Sequence, residues 1–349
     1  MRSQAGLSPA NLQCTAAGCG EKGTRMRFES PCFASLAILA ACASPSTSSP
    51  SARALSHVPP SGFLAVEGGR IWYEVHGTGT RTPLLVLHGG PGIPHDYLAN
   101  LALLGDERPV VFYDQLGCGQ SDRPDDPALW TRERFARELA TVRAALGLED
   151  VVLFGHSWGS ILAVDYLSGR SGERPVGVKG AILAGPALSI PRWIADSRRL
   201  MATLPPEVGQ AILEGERTGQ TDSDAFKAAT QVYYRHFVCR ADPWPPELER
   251  AFAGMGAQVY TTLNGPTEFT ITGPLKDVDV SPQLRSLDLP LLFICGEHDE
   301  ATPEATRSYA ALAQKASVTV VASAAHVGNY DCPEAYSSAL RTWLRGQDL

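Results

Sequence analysis

Short apolar segments recur along the chain, and most of them are unbroken runs rather than alternating patterns. They are "PLLVL", "RPVVFY", "DVVLFG", "GAILAG", "LPLLFIC" and "SVTVV". Unbroken runs of this length are typical of strands that are buried on both faces of a parallel sheet. Helical patterns lie between them, from about Thr131 to Leu146 and from Trp158 to Leu167. This alternation predicts an α/β fold with a mostly parallel, doubly wound sheet.

The alternation of strands and helices breaks between residues 188 and 283. This stretch contains polar and helix-like segments such as "ADPWPPELERAF", before "DLPLLFICG" resumes the sheet pattern. We therefore predict a mainly helical cap domain over 188–283, inserted into a core made of 62–187 and 284–349. The core begins with "GFLAVEGGRIWYEVHG", which predicts a hairpin with Gly68-Gly69 at its turn.

The charge balance and the cysteine pattern exclude several classes of binding site. The chain carries 37 acidic and 30 basic side chains, for a net charge of -7. A nucleic-acid surface needs clustered Lys and Arg, so this balance argues against one. The eight cysteines show neither metal-ligand spacing nor a disulfide framework. We expect no cofactor, no metal, and a small-molecule or peptide ligand.

The N-terminal region has the layout of a secretory signal. Arg25 and Arg27 precede the apolar run "FASLAILAA" at 33–41, which is too short to span a bilayer. The run ends in "LAAC", which resembles a bacterial lipobox. In such a motif the last residue, here Cys42, becomes acylated after cleavage. The pattern indicates an exported protein that is lipid-anchored to the bacterial membrane surface, with a cytoplasmic enzyme as the alternative.

Two boundaries follow from this interpretation of the N-terminal region. Residues 1–42 are predicted to be a leader followed by the signal peptide, and Met26 is the expected natural start. Residues 43–61 are rich in Ser and Pro, which is the composition of a flexible tether. Membrane contact is expected only through the lipid anchor, for which two or more acyl chains are needed.

A Gly-x-Ser-x-Gly motif, "GHSWGS" at 155–160, lies between a predicted buried strand and a predicted helix. That context is typical of a nucleophile elbow, in which the glycines permit a sharp turn that raises the Ser157 hydroxyl above the sheet. His156 is set aside as its base, because neighbouring residues at such a turn point apart. Ser157 is therefore the candidate nucleophile.

A serine hydroxyl needs a base, and the base needs an acid that orients it. His326 is the best candidate, because it follows the strand "SVTVV" at the edge of the sheet where Ser157 is expected. His298 is its rival. The acid is expected in the loop "GEHDEATP", which carries Glu297, Asp299 and Glu300. Spacing alone does not choose among these three carboxylates.

The motif "HGGPG" at 88–92 follows the predicted strand "PLLVL". Acyl transfer places negative charge on an oxygen, and backbone N–H groups reach that oxygen where side chains are absent. We predict that the amides of Gly90 and Trp158 form this oxyanion hole. His88 opens the loop and is expected to have a structural role.

Taken together, the motifs resemble those of the proline iminopeptidase family of α/β-hydrolases, in the branch close to the tricorn-interacting aminopeptidase and amino acid amidases. The resemblance covers residues 62 to 345. Its carriers are "HGGPG" with "HDY", "FYDQLGCGQSDRP", "GHSWGS", "DPWPPE", "NGPTEFTITG" and "GEHDEATP". It implies the α/β-hydrolase fold with an inserted cap.

The resemblance also implies roles for individual residues. The catalytic serine, aspartate and histidine of the family fall on Ser157, Asp299 and His326. Two glutamates that hold the free α-ammonium group of the substrate fall on Glu268 and Glu300. An ammonium group under a cap needs opposite charge, so two carboxylates select against blocked substrates.

Three functions are compatible with this pattern. The leading one is a serine exopeptidase or amidase that releases proline or another N-terminal residue from a peptide or amino acid amide with a free α-amine. The second is an exported esterase or lactonase with the same machinery. The third is an inactive surface-binding lipoprotein. The sequence does not indicate the oligomeric state or the preferred N-terminal residue.

Overall fold

The computed structural model describes residues 49–349. The predicted signal peptide, the start at Met26 and the acylation site Cys42 lie outside the described residues. Within residues 49–349, no helix combines the length and apolar character that crossing a bilayer requires.

Part of the predicted tether is a short helix, α1 (Pro50–Leu55). The Ser49 hydroxyl caps this helix by accepting a hydrogen bond of 3.1 Å from the Ala52 amide. Leu55 is buried in the main apolar core. The prediction of a flexible tether over 43–61 is therefore wrong for this segment, because a capped turn that buries Ser51, Ala52 and Leu55 gains enough from packing to become ordered.

The eight strands form one sheet. They are β1 (Ser61–Val66), β2 (Gly69–His76), β3 (Leu84–Leu87), β4 (Val110–Tyr113), β5 (Val151–His156), β6 (Val178–Ala184), β7 (Leu291–Gly296) and β8 (Ala316–Val321). Their order across the sheet is β1-β2-β4-β3-β5-β6-β7-β8. The pairs β1/β2 and β2/β4 are antiparallel and all others are parallel. The predicted mostly parallel sheet is confirmed.

The first two strands form the predicted hairpin, with its turn one residue earlier than expected. Val66 pairs with Gly69, so Glu67 and Gly68 make the turn. Gly68 has a φ of 94°, a backbone conformation that glycine adopts without steric cost.

Two helices of the first half cover one face of the sheet. They are α2 (Arg132–Ala145) and α3 (Trp158–Leu167). Two 3₁₀ helices, of 12 and 3 residues, occupy His95–Asp106 and Pro127–Leu129. Thr131 caps α2 because its hydroxyl accepts a hydrogen bond of 3.2 Å from the Arg134 amide. The side chains of Leu85 and Leu87 point to the α2 and α3 face, whereas those of Leu84 and Val86 join the core on the opposite face. The sheet is therefore covered on both faces, as the unbroken apolar runs predict.

The segment between β6 and β7 is mainly helical. Its α-helices are α4 (Ile190–Met201), α5 (Pro206–Thr218), α6 (Asp224–Phe237), α7 (Pro246–Ala253) and α8 (Ala257–Leu263), followed by 3₁₀ helices at Pro274–Asp277 and Ser281–Ser286. We refer to residues 185–290 as the inserted segment. The chain ends with α9 (Pro303–Ala310), α10 (Gly328–Asp331) and α11 (Pro333–Gly346).

The inserted segment is attached to two loops of the core by hydrogen bonds. The carbonyl of Phe237, the last residue of α6, accepts the amide of Glu300 at 3.3 Å and the amide of His326 at 3.1 Å. The Thr302 hydroxyl donates a hydrogen bond of 2.9 Å to Asp196 on α4. One backbone carbonyl of the inserted segment therefore holds both of the loops that carry the predicted acid and base.

Candidate active site

Ser157 occupies a strained turn between β5 and α3, with φ of 55° and ψ of -120°. Positive φ is unfavourable for a residue with a side chain and persists only where the surroundings impose it. The flanking glycines allow the turn, because a Cβ on Gly155 would lie 2.3 Å from the carbonyl oxygen of Gly159. A Cβ on Gly159 would lie 2.1 Å from the Leu87 carbonyl oxygen. The geometry is that of a nucleophile elbow.

His326 follows β8 and its imidazole Nδ1 lies 2.7 Å from Oδ1 of Asp299. The Asp299 carboxylate is itself held by the Ala301 amide at 2.7 Å and the Gly296 amide at 3.3 Å. Burial disfavours the charged imidazole, but the nearby carboxylates, Asp299 first, outweigh it and raise the pKa of His326 to about 9. The pair has the orientation that a base and its supporting acid require.

The rival candidates in the same loop lie elsewhere. The His298 side chain is 41% exposed, and its nearest carboxylate is Glu297 at 4.0 Å. Glu297 is also exposed, and its carboxylate accepts the Ser323 amide at 2.9 Å. Asp299 is buried and bound to His326, whereas Glu297 is exposed. The structure therefore distinguishes two carboxylates that spacing alone could not.

The amides of Gly90 and Trp158 have no acceptor among residues 49–349. Both residues line a pocket of about 270 Å³ together with Ser157. The Trp158 indole donates a hydrogen bond of 2.9 Å to the side chain of Gln115, which fixes the ring beneath the elbow. Two backbone donors next to one hydroxyl are the arrangement that an oxyanion hole requires.

His88 has a structural role in this loop. The Gln115 amide donates to Nε2 of His88 at 2.9 Å, so this nitrogen carries no proton. Burial lowers the pKa of His88 to about 4. The imidazole is therefore neutral and holds the "HGGPG" loop against the end of β4.

Glu268 and Glu300 line the same cavity as Ser157 and His326, a space of about 390 Å³. One oxygen of Glu268 accepts the Tyr260 hydroxyl at 2.8 Å, and the Glu268 carbonyl accepts the Trp193 indole at 2.7 Å. Both the side chain and the backbone of Glu268 are therefore fixed.

Glu300 differs from Glu268 in its surroundings. It is buried, and neither carboxyl oxygen makes a hydrogen bond of normal geometry within residues 49–349, although the Tyr233 hydroxyl lies near. Desolvation raises the pKa of Glu300 well above its usual range. The charge of His326 opposes this increase, and the charges of Glu268 and Asp299 add to it. A buried carboxyl without a partner is costly, so it is suited to binding a cation.

Sequence reasoning missed three residues around His326. His156, which the sequence sets aside as the base, has its ring 4.4 Å from the His326 ring, a contact that the sequence did not predict. Tyr97 and His156 both line the cavity. Gly185 has φ of 48°, and a Cβ there would lie 2.6 Å from Cε1 of His326. The glycine that ends "GAILAG" was the one available signal.

Two other aromatic residues of the inserted segment line the pockets beside Ser157. Tyr234 lines the cavity with Ser157, and Trp193 lines the adjoining pocket.

Within residues 49–349, no cluster of three or more His, Cys, Asp or Glu side chains is arranged to hold a metal ion.

Comparison with known proteins relates this geometry to a family. Residues 82–333 match the family model of the alpha/beta hydrolase fold. A proline iminopeptidase from Heyndrickxia coagulans is 42% identical over 285 residues, which covers 81% of this chain and 98% of the relative.

Two solved structures are also similar. The crystal structure of proline iminopeptidase from Mycobacterium smegmatis is 32% identical, with a TM-score of 0.76 over 82% of this chain and 98% of that chain. The crystal structure of VinJ is 34% identical, with a TM-score of 0.79 over 83% of this chain and all of that chain. The chain therefore belongs to the proline iminopeptidase family of α/β hydrolases.

Proposed function

We propose that this protein is a serine aminopeptidase that releases proline or another N-terminal residue from peptides or amino acid amides. Its curated relatives are named proline iminopeptidases, which supports the exopeptidase activity. The candidate site adds the groups that such chemistry needs: a hydroxyl on an elbow, an oriented imidazole, two backbone amides and two carboxylates.

In the proposed reaction the Ser157 oxygen attacks the carbonyl carbon of the first peptide bond while His326 takes the hydroxyl proton. Asp299 orients the imidazole and stabilises its charged form. The amides of Gly90 and Trp158 bind the oxyanion of the tetrahedral intermediate. When the C–N bond breaks, His326 gives its proton to the leaving amine, and the N-terminal residue remains as an ester on Ser157.

Water completes the proposed cycle. His326, now neutral, takes a proton from a water molecule whose oxygen attacks the acyl-enzyme carbonyl. The second tetrahedral intermediate collapses, the bond to the Ser157 oxygen breaks, and the proton returns to that oxygen. The products are a free amino acid and a shortened peptide or an amine, with one water consumed.

One observation favours an amine-bearing substrate: the buried Glu300 carboxyl has no hydrogen-bonding partner of normal geometry among the described residues, and Glu268 shares its cavity. A free α-ammonium group between these carboxylates would supply the missing donors. A neutral ester or lactone would leave both groups buried without a cation. This contrast favours the aminopeptidase over the esterase or lactonase alternative.

The test compares proline and alanine arylamides that have a free amine with the same compounds acetylated at nitrogen, alongside simple aryl esters. We expect the free-amine compounds to be cleaved about 10⁴-fold more efficiently in kcat/KM than the acetylated ones, because blocking leaves two buried carboxylates unpaired. Equal rates on free and acetylated compounds would reject the proposed ammonium site, and esters cleaved faster than either would favour the alternative.

We also propose that the protein is exported and anchored to the bacterial membrane surface through acylated Cys42. The support is the sequence pattern alone: two arginines, a short apolar run and "LAAC". In this location the substrates would be peptides or amides outside the cytoplasm.

A further inference from the structure

A chain of side-chain hydrogen bonds joins the glycine-rich loop to the His326 loop. The Gly89 amide donates to the hydroxyl of Tyr97 at 2.8 Å. The same hydroxyl lies 2.9 Å from Nδ1 of His156. Nε2 of His156 lies 2.9 Å from the carbonyl oxygen of His326. Two side chains therefore connect two loops that are distant in sequence.

Chemistry fixes the direction of every bond in this chain. The His326 carbonyl can only accept, so Nε2 of His156 must carry the proton. The Tyr97 hydroxyl then donates to the bare Nδ1 of His156 while it accepts the Gly89 amide. Burial, together with the nearby His326 charge, holds the pKa of His156 well below its usual range, which agrees with a neutral ring. Each donor in this series of hydrogen bonds is thus matched with one acceptor.

The chain reaches three parts of the proposed machinery at once. Gly89 precedes the proposed oxyanion donor Gly90, and His156 precedes Ser157. The Tyr97 carbonyl also accepts the Asn329 side-chain amide at 2.9 Å, which adds a second bond to the segment after His326. These hydrogen bonds thus fix the positions of the glycine-rich loop, the elbow and the His326 loop relative to one another.

We propose that His156 and Tyr97 are positioning residues that fix the oxyanion amides relative to the imidazole of His326. This inference rests on the serine mechanism proposed above. His156 is not a proton carrier in the reaction, because both of its ring nitrogens are engaged. Without these hydrogen bonds, the buried Gly89 amide loses its acceptor, and the position of one loop no longer constrains that of the other. A displacement of about 1 Å between catalytic groups is enough to lower kcat about 10²-fold.

The experiment measures kcat and KM of the full chain for a free-amine proline arylamide in Tyr97→Phe, His156→Phe and the double variant. We expect each single change to lower kcat about 10- to 100-fold, with KM within about twofold of the wild type. The kcat of the double variant should be no lower than that of the less active single variant, because both changes break the same chain of hydrogen bonds. His156→Gln should recover most of the lost kcat, since its amide offers one acceptor and one donor.

The matched control is Tyr113→Phe, which removes a buried hydroxyl that has no hydrogen-bonding partner within residues 49–349. It should leave kcat and KM unchanged. Active sites are counted with a stoichiometric serine-reactive phosphonate, so that kcat is expressed per folded site.

A wild-type kcat per site in Tyr97→Phe, or losses that multiply in the double variant, would overturn the positioning role. So would a failure of His156→Gln to recover activity above His156→Phe while both are folded. The Ser157→Ala variant separates this result from the proposed function. If Ser157→Ala is inactive and Tyr97→Phe is fully active, only the positioning role fails, whereas an active Ser157→Ala rejects the serine mechanism itself.

Discussion

Asp299 accepts a hydrogen bond of 2.7 Å from Nδ1 of His326, while its neighbour Glu300 faces the cavity without such a partner. Adjacent carboxylates in one loop thus have different surroundings. One is bound to an imidazole and two amides, and the other is free to bind a cation.

Replacing Ser157 by Ala should lower kcat by roughly 10⁴-fold or more, because it removes the hydroxyl that is proposed to form the acyl-enzyme. The measurement is hydrolysis of a free-amine arylamide at saturating substrate. Ser168→Ala is the control, since the Ser168 hydroxyl is buried without a partner of normal geometry within residues 49–349, beyond the far end of α3. Loss of activity in Ser168→Ala alone would contradict the assignment of Ser157.

Glu300→Gln should weaken free-amine substrates about 10- to 1,000-fold in kcat/KM and leave aryl esters within about threefold, because only the ammonium group needs the charge. The matched control in the same loop is Glu297→Gln, which alters an exposed carboxylate. Steady-state kinetics on both substrate types checks this. Equal losses on amides and esters would mean that Glu300 supports the site generally rather than binding the amine.

The pH dependence of kcat/KM should follow the deprotonation of His326. A base must be neutral to act, and the pKa of His326 is raised to about 9 by carboxylates that outweigh burial, so activity of the free enzyme should increase up to that pH. Glu268→Gln removes one of these charges and should move the rise to lower pH. Comparing variants on one substrate cancels the ionisation of the substrate amine. A rise that stays in place in Glu268→Gln and moves in Glu297→Gln would contradict this account.

Stability should depend on another buried histidine, His95, which lies outside the site. Its Nδ1 is 2.7 Å from Asp114 and its Nε2 is 3.1 Å from Glu74. Burial opposes the charged form, but both carboxylates outweigh it and raise the pKa of His95 to about 10. Since the folded pKa is higher than the unfolded one, the stabilisation is complete below about pH 6.5 and is lost as pH increases to about 10.

The corresponding variant is His95→Gln, which does not titrate. Its unfolding midpoint should lie several degrees below that of the wild type at pH 6, and the difference should shrink steadily towards pH 10. Thermal unfolding followed by circular dichroism measures both. A difference that is constant across this range would mean that His95 acts through packing alone.

Cys42→Ala should abolish labelling of the protein by palmitate and shift it out of the membrane fraction when the full chain is produced in a bacterium. The physical reason is that acyl chains supply the apolar area that holds a protein on a bilayer. Cys32→Ala is the control, because this cysteine lies in the predicted signal peptide outside the "LAAC" motif. Unlabelled wild-type protein in the cytoplasmic fraction would favour the cytoplasmic alternative.

Local patterns predicted the parts of the fold that neighbouring residues determine. The continuous apolar runs gave the buried strands, and Gly155 and Gly159 indicated the turn at Ser157, because a side chain at either position would collide with a backbone carbonyl. The acid was different. Asp299 and Glu297 have the same charge and nearly the same spacing, so only the family resemblance chose between them, and burial explains the choice.

Contacts between distant segments could not be predicted in this way. His156 and Tyr97 are 59 positions apart, and no periodicity relates them. The helix α1 was missed because Ser and Pro favour helix starts as readily as tethers, and what decides is the burial of Ser51, Ala52 and Leu55. Such features depend on tertiary packing, which a single sequence does not encode at any fixed spacing.

The Phe237 carbonyl accepts two hydrogen bonds, and this affects how segments can be exchanged between such enzymes. A chimera that exchanges residues 185–290 for the same region of a relative would also exchange the atom that holds the amides of both Glu300 and His326. The acid and base loops would then keep their geometry only where the incoming backbone puts a carbonyl in the same position. A workable crossover would keep the end of α6 with its own core and make the exchange on either side of it.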